Sequence, residues 1–235
     1  MRARLSAMVF AVWFAAVTLV ICLTAWAELF VRRPAPGPES WAIMQRVTRR
    51  WSRLVLGSLH PLCGIDWRVE GAWPGTGAAL LALQHQSTFE TLLVMASLPS
   101  PAVVLKRELA DLPLFGPLTR RAGMIVVDRG AGAVALRHML RDAEVAWAAG
   151  RQVVIFPEGT RVAPGDTATL HPGVAALAAR VPGPVIPVVT DSGRRWGRTP
   201  FDKRPGTIRI GILEPLPPGL PRAELLGRLA QLYQA

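Results

Sequence analysis

A histidine and a glutamate stand five residues apart near the middle of the chain, a spacing that could serve acid–base chemistry. On one continuous helix the two side chains would point about 140° apart, since an α-helix has about 3.6 residues per turn. His85 and Glu90 can therefore meet only if His85 lies in the loop before the helix. A carboxylate beside an imidazole fixes its tautomer and raises its basicity, which suits the imidazole to deprotonate a hydroxyl. In that arrangement His85 could act as a general base oriented by Glu90.

The same residues also have a purely structural interpretation. Ser87 followed by Glu90 matches the capping box Ser-x-x-Glu, which closes the N-terminus of a helix and needs no catalysis. The two interpretations are compatible, because a capping glutamate can also contact an imidazole. Spacing alone leaves the choice between them open.

A second candidate is the run Phe-Pro-Glu-Gly-Thr-Arg at residues 156–161, which directly follows a predicted strand. Gly159 would let the backbone approach a ligand closely, and Thr160 and Arg161 could bind an anion. An ordinary tight turn after a strand would give the same pattern.

Two basic residues follow other predicted strands, Lys106 and Arg129. Brought together they could hold a phosphate, whereas apart they would be surface charges. No Cys/His spacing typical of a metal site is present in the sequence, and we predict no metal. The two cysteines, Cys22 and Cys63, are too few for a disulfide framework.

Residues 130–135, Gly-Ala-Gly-Ala-Val-Ala, match the dinucleotide-binding pattern G-x-G-x-x-A. The charged pair Asp128-Arg129 precedes the first glycine. The acidic ribose ligand expected about 20 residues further on would still lie in the predicted helix. The match is therefore weak, and a nicotinamide-dependent membrane-associated oxidoreductase remains an alternative function.

These residues need a scaffold that brings the ends of strands together. From about residue 69 onward, short apolar runs alternate with helical patterns, which is typical of an α/β domain. The predicted strands are 78–83, 102–105, 124–127, 153–156, 185–189 and 207–212, and the predicted helices are 88–98, 133–149, 173–180 and a last one from about 222.

Composition points to a lipid partner. The 235 residues include 27 Lys+Arg against 16 Asp+Glu, a formal net charge of +11, and 51% of them are hydrophobic. A basic and apolar chain is suited to anionic lipid or nucleic acid. We expect anionic membrane lipids and no nucleic acid, because no nucleic-acid-reading motif or aromatic–basic interleaving is present. A non-catalytic lipid-surface protein is a further alternative.

Residues 5–27 carry no charge and are long enough to cross or enter a bilayer, with Trp13 and Trp26 toward the two ends. A cleaved signal peptide, with Arg2 and Arg4 before it, is the alternative, but its apolar region is normally roughly 7–15 residues. We predict a retained anchor. Arginines on both sides leave open whether it spans the membrane or dips into one leaflet.

A proline-rich linker at residues 33–38 follows the anchor, and residues 41–56 predict an amphipathic helix on the headgroup surface. We therefore predict two parts: residues 1–57 as membrane anchor and interfacial helix, and residues 58–235 as the catalytic domain.

Taken in order, these segments resemble the 1-acylglycerol-3-phosphate acyltransferase (lysophosphatidic acid acyltransferase) family of glycerolipid acyltransferases. The resemblance runs from about residue 78 to residue 212. The first motif of that family, His-x4-Asp, is matched by His85 and Glu90. The third motif, Phe-Pro-Glu-Gly-Thr-Arg, is present at residues 156–161, and the fourth is matched by Ile186-Pro187-Val188. The second motif is matched by Lys106, Glu108, Leu109, Pro113, Gly116, Gly123, Asp128 and Arg129.

Two departures from the family pattern stand out. Glu90 replaces the usual aspartate and adds one methylene, and His171 stands near where many members carry a lysine before proline or glycine.

The resemblance implies an α/β fold with a central mixed, mostly parallel sheet flanked by helices. It implies that His85, oriented by Glu90, deprotonates the sn-2 hydroxyl of lysophosphatidic acid, which then attacks the thioester of acyl-CoA or acyl carrier protein. Another lysolipid, such as lyso-ornithine lipid, is the alternative acceptor. No cofactor is implied, and the location implied is the cytoplasmic face of the bacterial inner membrane. The substrate-binding residues implied are Lys106, Arg129, Glu158, Gly159, Thr160 and Arg161, with oxyanion donors near Gly159.

Overall fold

The computed structural model describes the backbone of residues 2–234 and the side chains of residues 4–234. Met1, Ala235 and the side chains of Arg2 and Ala3 lie outside this description. Within it, seven strands form one sheet in the order β1-β7-β6-β2-β5-β3-β4. The strands are β1 (Ile65–Glu70), β2 (Ala79–Leu83), β3 (Pro101–Lys106), β4 (Ile125–Val127), β5 (Gln152–Ile155), β6 (Val185–Thr190) and β7 (Gly206–Ile212).

Neighbouring strands are parallel except β6 and β7, which are antiparallel. The predicted mixed, mostly parallel sheet is therefore confirmed. The helices are α1 (Arg2–Arg32), α2 (Pro38–Gly57), α3 (Leu59–Cys63), α4 (Phe89–Ser97), α5 (Arg107–Ala110), α6 (Phe115–Arg121), α7 (Gly132–Ala148), α8 (Gly173–Arg180) and α9 (Arg222–Gln234).

Both faces of the sheet are covered, and β2 shows how the chain serves both. Successive side chains of a strand point to opposite faces. Leu81 and Leu83 enter the core that includes residues of α1 to α4, whereas Leu80 and Ala82 enter the core shared with α7, α8 and α9. This burial on both sides explains the continuous apolar run at β2, which is typical of parallel sheets.

Strand β1 begins at Ile65, four residues before the predicted start of the α/β pattern. It lies at the edge of the sheet, where Asp66, Arg68 and Glu70 alternate with apolar residues. This alternation is typical of a strand that has one face exposed to solvent. Because of these charged residues β1 contains no continuous apolar run, and the sequence did not predict it as a strand.

Helix α1 is long and apolar enough to cross a membrane, and 22% of its most apolar stretch is buried within the protein. One side packs against the folded domain, with Phe10 and Val17 in the core of the sheet and Ala25 beside α2 and α6. The helix therefore has a protein-facing side and a side that leaves large apolar residues exposed. The exposed residues include Val12, Leu19, Leu23, Phe30 and Val31.

Lys203 helps to join α1 to the loop after β6. Its ammonium lies 5.5 Å from the ring centre of Phe10 and 4.6 Å from that of Trp196, and it donates to the carbonyl of Pro200. Burial lowers the pKa of Lys203 to about 8, and the nearby thiol of Cys63 opposes that shift.

The helix predicted at residues 41–56 forms the greater part of α2. Its apolar side packs inward, with Val55 and Leu56 against α4 and with Ile43 and Met44 against α1 and α6. The contact of the other, outward-facing side of α2 with lipid headgroups stays a prediction.

Candidate active site

The site lies where three neighbouring strands end. Strand β2 has β5 on one side and β6 on the other, all three parallel. The carboxyl ends of parallel strands meet at the same edge, where open α/β sheets bind their ligands. His85 follows β2, the run 156–161 follows β5, and Ser192 follows β6.

His85 and Glu90 face each other as predicted. The His85 Nδ1 atom is 3.5 Å from Glu90 Oε2, with 17% of the histidine side chain and 2% of the glutamate side chain exposed. This contact has the distance of an ion pair but not the geometry of a hydrogen bond, which leaves Nδ1 without a bonded partner. Catalytic contacts are often long before substrate binds. The ring of Phe156 stacks on the imidazole, with ring centres 4.2 Å apart.

The carboxylate of Glu90 is held by buried donors. Oε2 accepts from the Ser87 N–H at 3.1 Å, Oε1 accepts from the Ser192 hydroxyl, and the two serine hydroxyls are 2.8 Å apart. The Ser87 hydroxyl also accepts from the Phe89 N–H at 3.0 Å. Helix α4 has Thr88 at its N-cap and no side-chain cap bond there, so only the glutamate half of the predicted capping box forms, at the same carboxylate that faces His85.

The loop after β5 holds the backbone of His85 in place. Its N–H donates to Glu158 Oε2 at 2.7 Å, and its carbonyl accepts from the Val162 N–H at 2.8 Å. The next residue, Gln86, accepts from the Gly193 N–H at 3.1 Å. The loops after β2, β5 and β6 are thus tied to one another around the histidine.

Glu158 does not lie where its predicted role requires. The sequence resemblance assigns it to substrate binding, but its side chain is buried and holds the backbone of His85. Burial raises the pKa of Glu158 to about 8, the His85 N–H bond opposes that rise, and the charge of Glu90 adds to it. We assign Glu158 a positioning role in place of direct substrate contact.

A cleft of about 940 Å³ opens beside His85. Its polar part brings together five other predicted site residues, Lys106, Arg129, Gly159, Thr160 and Arg161. Burial lowers the pKa of Arg129, and the nearby charge of Glu108 opposes this shift. The apolar part of the cleft is lined by Val103, Leu105, Val127, Leu136, Met139 and Ile155.

Gly159 is required by its surroundings. Its φ is +66°, and a β-carbon there would lie 2.9 Å from His171 Nε2 and 3.2 Å from Arg129 Nη1. The left-handed backbone conformation and the two nearby side chains both favour glycine at this position. The Gly159 N–H already donates to the carbonyl of Phe156 at 3.0 Å. This N–H is therefore already paired within its own loop.

Three residues at the site were not predicted as site residues: Ser192, His171 and Arg198. Ser192 follows a parallel strand, so the strand-end rule could have found it. His171 lines the cleft above Gly159, and the sequence marked it only as a departure from a pattern. Arg198 lines the cleft and donates to the carbonyl of Arg161, and no sequence signal pointed to it. The Arg161 guanidinium itself donates to Thr88 Oγ1 at 2.9 Å.

The glycine run at residues 130–135 lies at the start of α7, where it helps to line the same cleft. In a dinucleotide-binding unit the strands before and after the helix are neighbours. Here β3 lies between β4 and β5. This arrangement does not support the nicotinamide alternative.

Fold and site together define an α/β enzyme with a histidine–carboxylate pair beside a cleft that is cationic at one end and apolar at the other. Residues 66–191 match the family model described as Acyltransferase. The chain belongs to this acyltransferase family.

Similar proteins carry related names. The chain is 32% identical over 168 residues to the 1-acyl-sn-glycerol-3-phosphate acyltransferase of Pseudomonas aeruginosa, covering 71% of this chain and 65% of that protein. The match thus spans just under two thirds of that relative. The chain is also 30% identical over 234 residues to the lyso-ornithine lipid O-acyltransferase of the same organism, covering 92% of this chain and 86% of that one.

A solved structure shares the fold. The 1-acyl-sn-glycerophosphate (LPA) acyltransferase PlsC from Thermotoga maritima superposes with a TM-score of 0.77 at 21% identity, covering 100% of this chain and 95% of that one.

Proposed function

We propose that the protein transfers an acyl group from a thioester donor to the sn-2 hydroxyl of 1-acylglycerol-3-phosphate and so makes phosphatidic acid. The observation that carries this proposal is the position of the His85–Glu90 pair at a cleft with one cationic and one apolar part. Lysophosphatidic acid has a phosphate at one end, an acyl chain at the other and a hydroxyl between them. Its chemistry therefore matches the cleft.

His85 is the general base of the proposed reaction. Glu90 faces Nδ1 at 3.5 Å, and its negative charge favours the tautomer with the proton on that nitrogen, so that Nε2 on the other edge of the ring is the basic atom. Nε2 takes the proton of the sn-2 hydroxyl as its oxygen attacks the thioester carbonyl. The tetrahedral intermediate then expels the thiolate, which receives the same proton from Nε2. The new C–O bond replaces the C–S bond, and no acyl group is attached to the enzyme.

Lys106, Arg129 and Arg161 are the proposed phosphate ligands. All three line the cleft with His85, and arginine offers a planar pair of N–H donors that fits a phosphate. The Arg161 guanidinium is held by Thr88 at the start of α4, so it is already oriented before substrate arrives.

The proposed acyl donor is acyl-CoA or acyl carrier protein. Both end in a thioester, and the reaction needs no further cofactor. We also propose that the enzyme works at the cytoplasmic face of the bacterial inner membrane, with α1 in the bilayer and the excess of arginine toward anionic lipid. Acyl thioesters of both kinds are cytoplasmic, which requires the cleft to face that side.

Lyso-ornithine lipid is the second candidate acceptor, because the relative of that name aligns over more of both chains than the first relative does. Its headgroup carries an amino group beside a carboxylate. Among the described residues that line the cleft, Glu108 is the one carboxylate, whereas Lys106, Arg129, Arg161 and Arg198 are cations. This charge favours a phosphate over an amino acid headgroup.

The deciding experiment measures thiol release from acyl-CoA by the purified full-length protein in mixed micelles, with each lysolipid added separately. Lysophosphatidic acid should give turnover at least about tenfold faster than lyso-ornithine lipid, a difference of about 1.4 kcal/mol in the barrier. His85→Ala is the control for non-enzymatic hydrolysis. Faster turnover with lyso-ornithine lipid would replace the first proposal by the second, and thiol release without any acceptor would contradict both.

A further inference from the structure

Three leucines stand close together on the surface beside the cleft. Leu109, Leu112 and Leu114 lie within six residues, and they are 45%, 46% and 46% exposed. Residues 109–114, here called the apolar loop, comprise the last two residues of α5 and the connection to α6. Single exposed leucines are ordinary, but a cluster of them marks an interaction surface.

The backbone of the apolar loop holds these leucines outward. The Gly116 N–H donates to the Leu112 carbonyl at 2.8 Å, and the Phe115 N–H donates to the Pro113 carbonyl at 2.7 Å. The second bond closes a three-residue turn around Leu114, whose φ is +64°. Leucine rarely adopts a positive φ, and this kind of turn is strained. The chain thus keeps an unfavourable backbone conformation with an apolar side chain in contact with solvent.

A hydrogen bond connects the apolar loop to α1. Trp26 of α1 donates from its indole Nε1 to the Leu114 carbonyl at 3.0 Å. Indoles favour the membrane interface, and Trp26 lies toward the C-terminal end of the apolar segment of α1. Phe30 and Val31, about one turn further along, are exposed as well. The loop therefore continues the lipid-facing surface of α1 at the depth of its interfacial tryptophan.

Charges around the apolar loop suit an anionic lipid surface. Its acidic residue, Asp111, pairs with Arg107 at 3.3 Å and with Arg120 at 2.8 Å. Arg107 also pairs with Asp128 at 2.8 Å, so the Asp111 carboxylate is offset mainly by Arg120. Arginines next to apolar side chains favour binding to anionic membranes.

We propose that the apolar loop inserts its leucines into the lipid surface beside α1 and places the mouth of the cleft at that surface. Leu109 belongs to both structures, since it is part of the loop and lines the cleft. Insertion would let the acyl chain of an acceptor pass from the bilayer into the cleft without crossing water. The inference rests on the proposed function only in naming a lipid acceptor.

The test reads lipid contact directly. In a full-length background with Cys22→Ala and Cys63→Ala, a single environment-sensitive fluorophore is attached at Leu112→Cys, and the protein is reconstituted into phosphatidylcholine–phosphatidylglycerol vesicles. The matched control is Val145→Cys, an exposed apolar position on α7, which covers the opposite face of the sheet. Quenchers carried on lipid acyl chains should quench the label at residue 112 at least about threefold more than the label at residue 145.

Equal quenching at the two positions would overturn the proposal. A label at residue 112 that is shielded from water but not quenched by lipid would overturn it too, because protein, such as a second copy of the chain, would then cover the leucines. This readout does not depend on turnover, so a wrong acceptor assignment leaves it unaffected.

A second measurement covers the case in which the cysteine-free background fails to fold. The variant Leu112→Asn/Leu114→Asn removes both apolar side chains, and asparagine tolerates a positive φ better than most residues. Its apparent KM for acceptor in vesicles should rise about tenfold with kcat retained, while its KM for a short-chain, water-soluble acceptor stays unchanged. An unchanged KM in vesicles would overturn the proposal.

Discussion

The two sides of the cleft are built differently. On the base side, which comprises His85, Glu90, Ser87 and Ser192, the glutamate and both serines are buried and bonded to one another. On the cation side, which comprises Lys106, Arg129 and Arg161, the side chains are exposed or half-buried. Folding therefore sets the geometry of the base in advance and also orients Arg161 through Thr88, whereas we expect Lys106 and Arg129 to become ordered when an anion binds. We expect changes on the base side to lower kcat and changes on the cation side to raise KM.

The largest effect should follow removal of the base. His85→Ala should lower kcat by about 10²–10⁴-fold, the range of general-base contributions, with little change in KM for either substrate. Steady-state kinetics with acyl-CoA and lysophosphatidic acid would measure both. Retention of more than a few per cent of the activity in a folded variant would show that His85 is not the base.

Changes at Glu90 should come next. Glu90→Gln removes the negative charge that favours the protonated Nδ1 atom, so kcat should fall by about 10²-fold. Glu90→Asp keeps the charge and should stay within about tenfold of the native rate. Comparable losses in the two variants would mean that Glu90 serves as a helix cap alone.

Arg129 tests the cation side. Arg129→Ala should raise KM for lysophosphatidic acid and lower kcat/KM by about 10- to 150-fold, because it removes a charge-assisted contact worth roughly 1.5–3 kcal/mol. Arg129→Lys should recover part of this loss, since an ammonium lacks the two parallel donors. The control Arg222→Ala changes an exposed arginine at the start of α9 and should be neutral. A similar KM for all three variants would place the arginine outside the phosphate site.

Ser192 should have a smaller effect on the base side. Ser192→Ala removes one donor to Glu90 and keeps the others, so kcat should fall about three- to tenfold with an unchanged KM. The matched control is Ser58→Ala, a buried serine that bonds to the Val55 carbonyl far along the chain from the site. If the two variants lose kcat equally, the loss at Ser192 reflects general destabilisation.

Glu158 should affect the pH dependence of stability more than the rate. Its pKa is about 8 in the folded protein against an ordinary 4.5, so the folded state binds the extra proton between these values. Stability should therefore fall as pH rises from about 4.5 to about 8, and Glu158→Gln should remove that slope.

Lys203 should have the opposite effect on the pH dependence of stability. Its pKa is lowered from 10.5 to about 8, so stability should rise with pH between about 8 and 10.5, and Lys203→Met should remove that rise. Thermal unfolding in detergent across both pH ranges would measure both slopes.

Local patterns account for what could be predicted. The strands with continuous apolar runs, the helices between them and the meeting of His85 with Glu90 all follow from neighbouring residues. Glu158, Ser192 and Arg198 differ because their partners are distant in the chain. No periodicity in the sequence shows that the glutamate of a ligand-binding motif would turn inward toward the backbone of His85.

For α1, too, the sequence predicted the helix but not its contacts with distant residues. Its length and lack of charge predicted a long apolar helix, and α1 confirms it. The sequence did not predict that Phe10 would pack against Trp196 or that Trp51 would donate to Thr18 at 3.0 Å. Deletion of residues 1–30 would therefore uncover part of the protein core as well as remove an anchor.

The position of β1 has a consequence for how the chain folds. β1 leaves the ribosome early, yet its partner in the sheet is β7, with Ile65 opposite Gly206. Pairing over so long a sequence separation is slow, because the entropy of closing the loop is lost before any contact forms. During synthesis β1 stays an unpaired strand until β7 emerges, and unpaired strand edges promote aggregation. Chains that stop before residue 206 should accordingly be found mainly in the insoluble fraction.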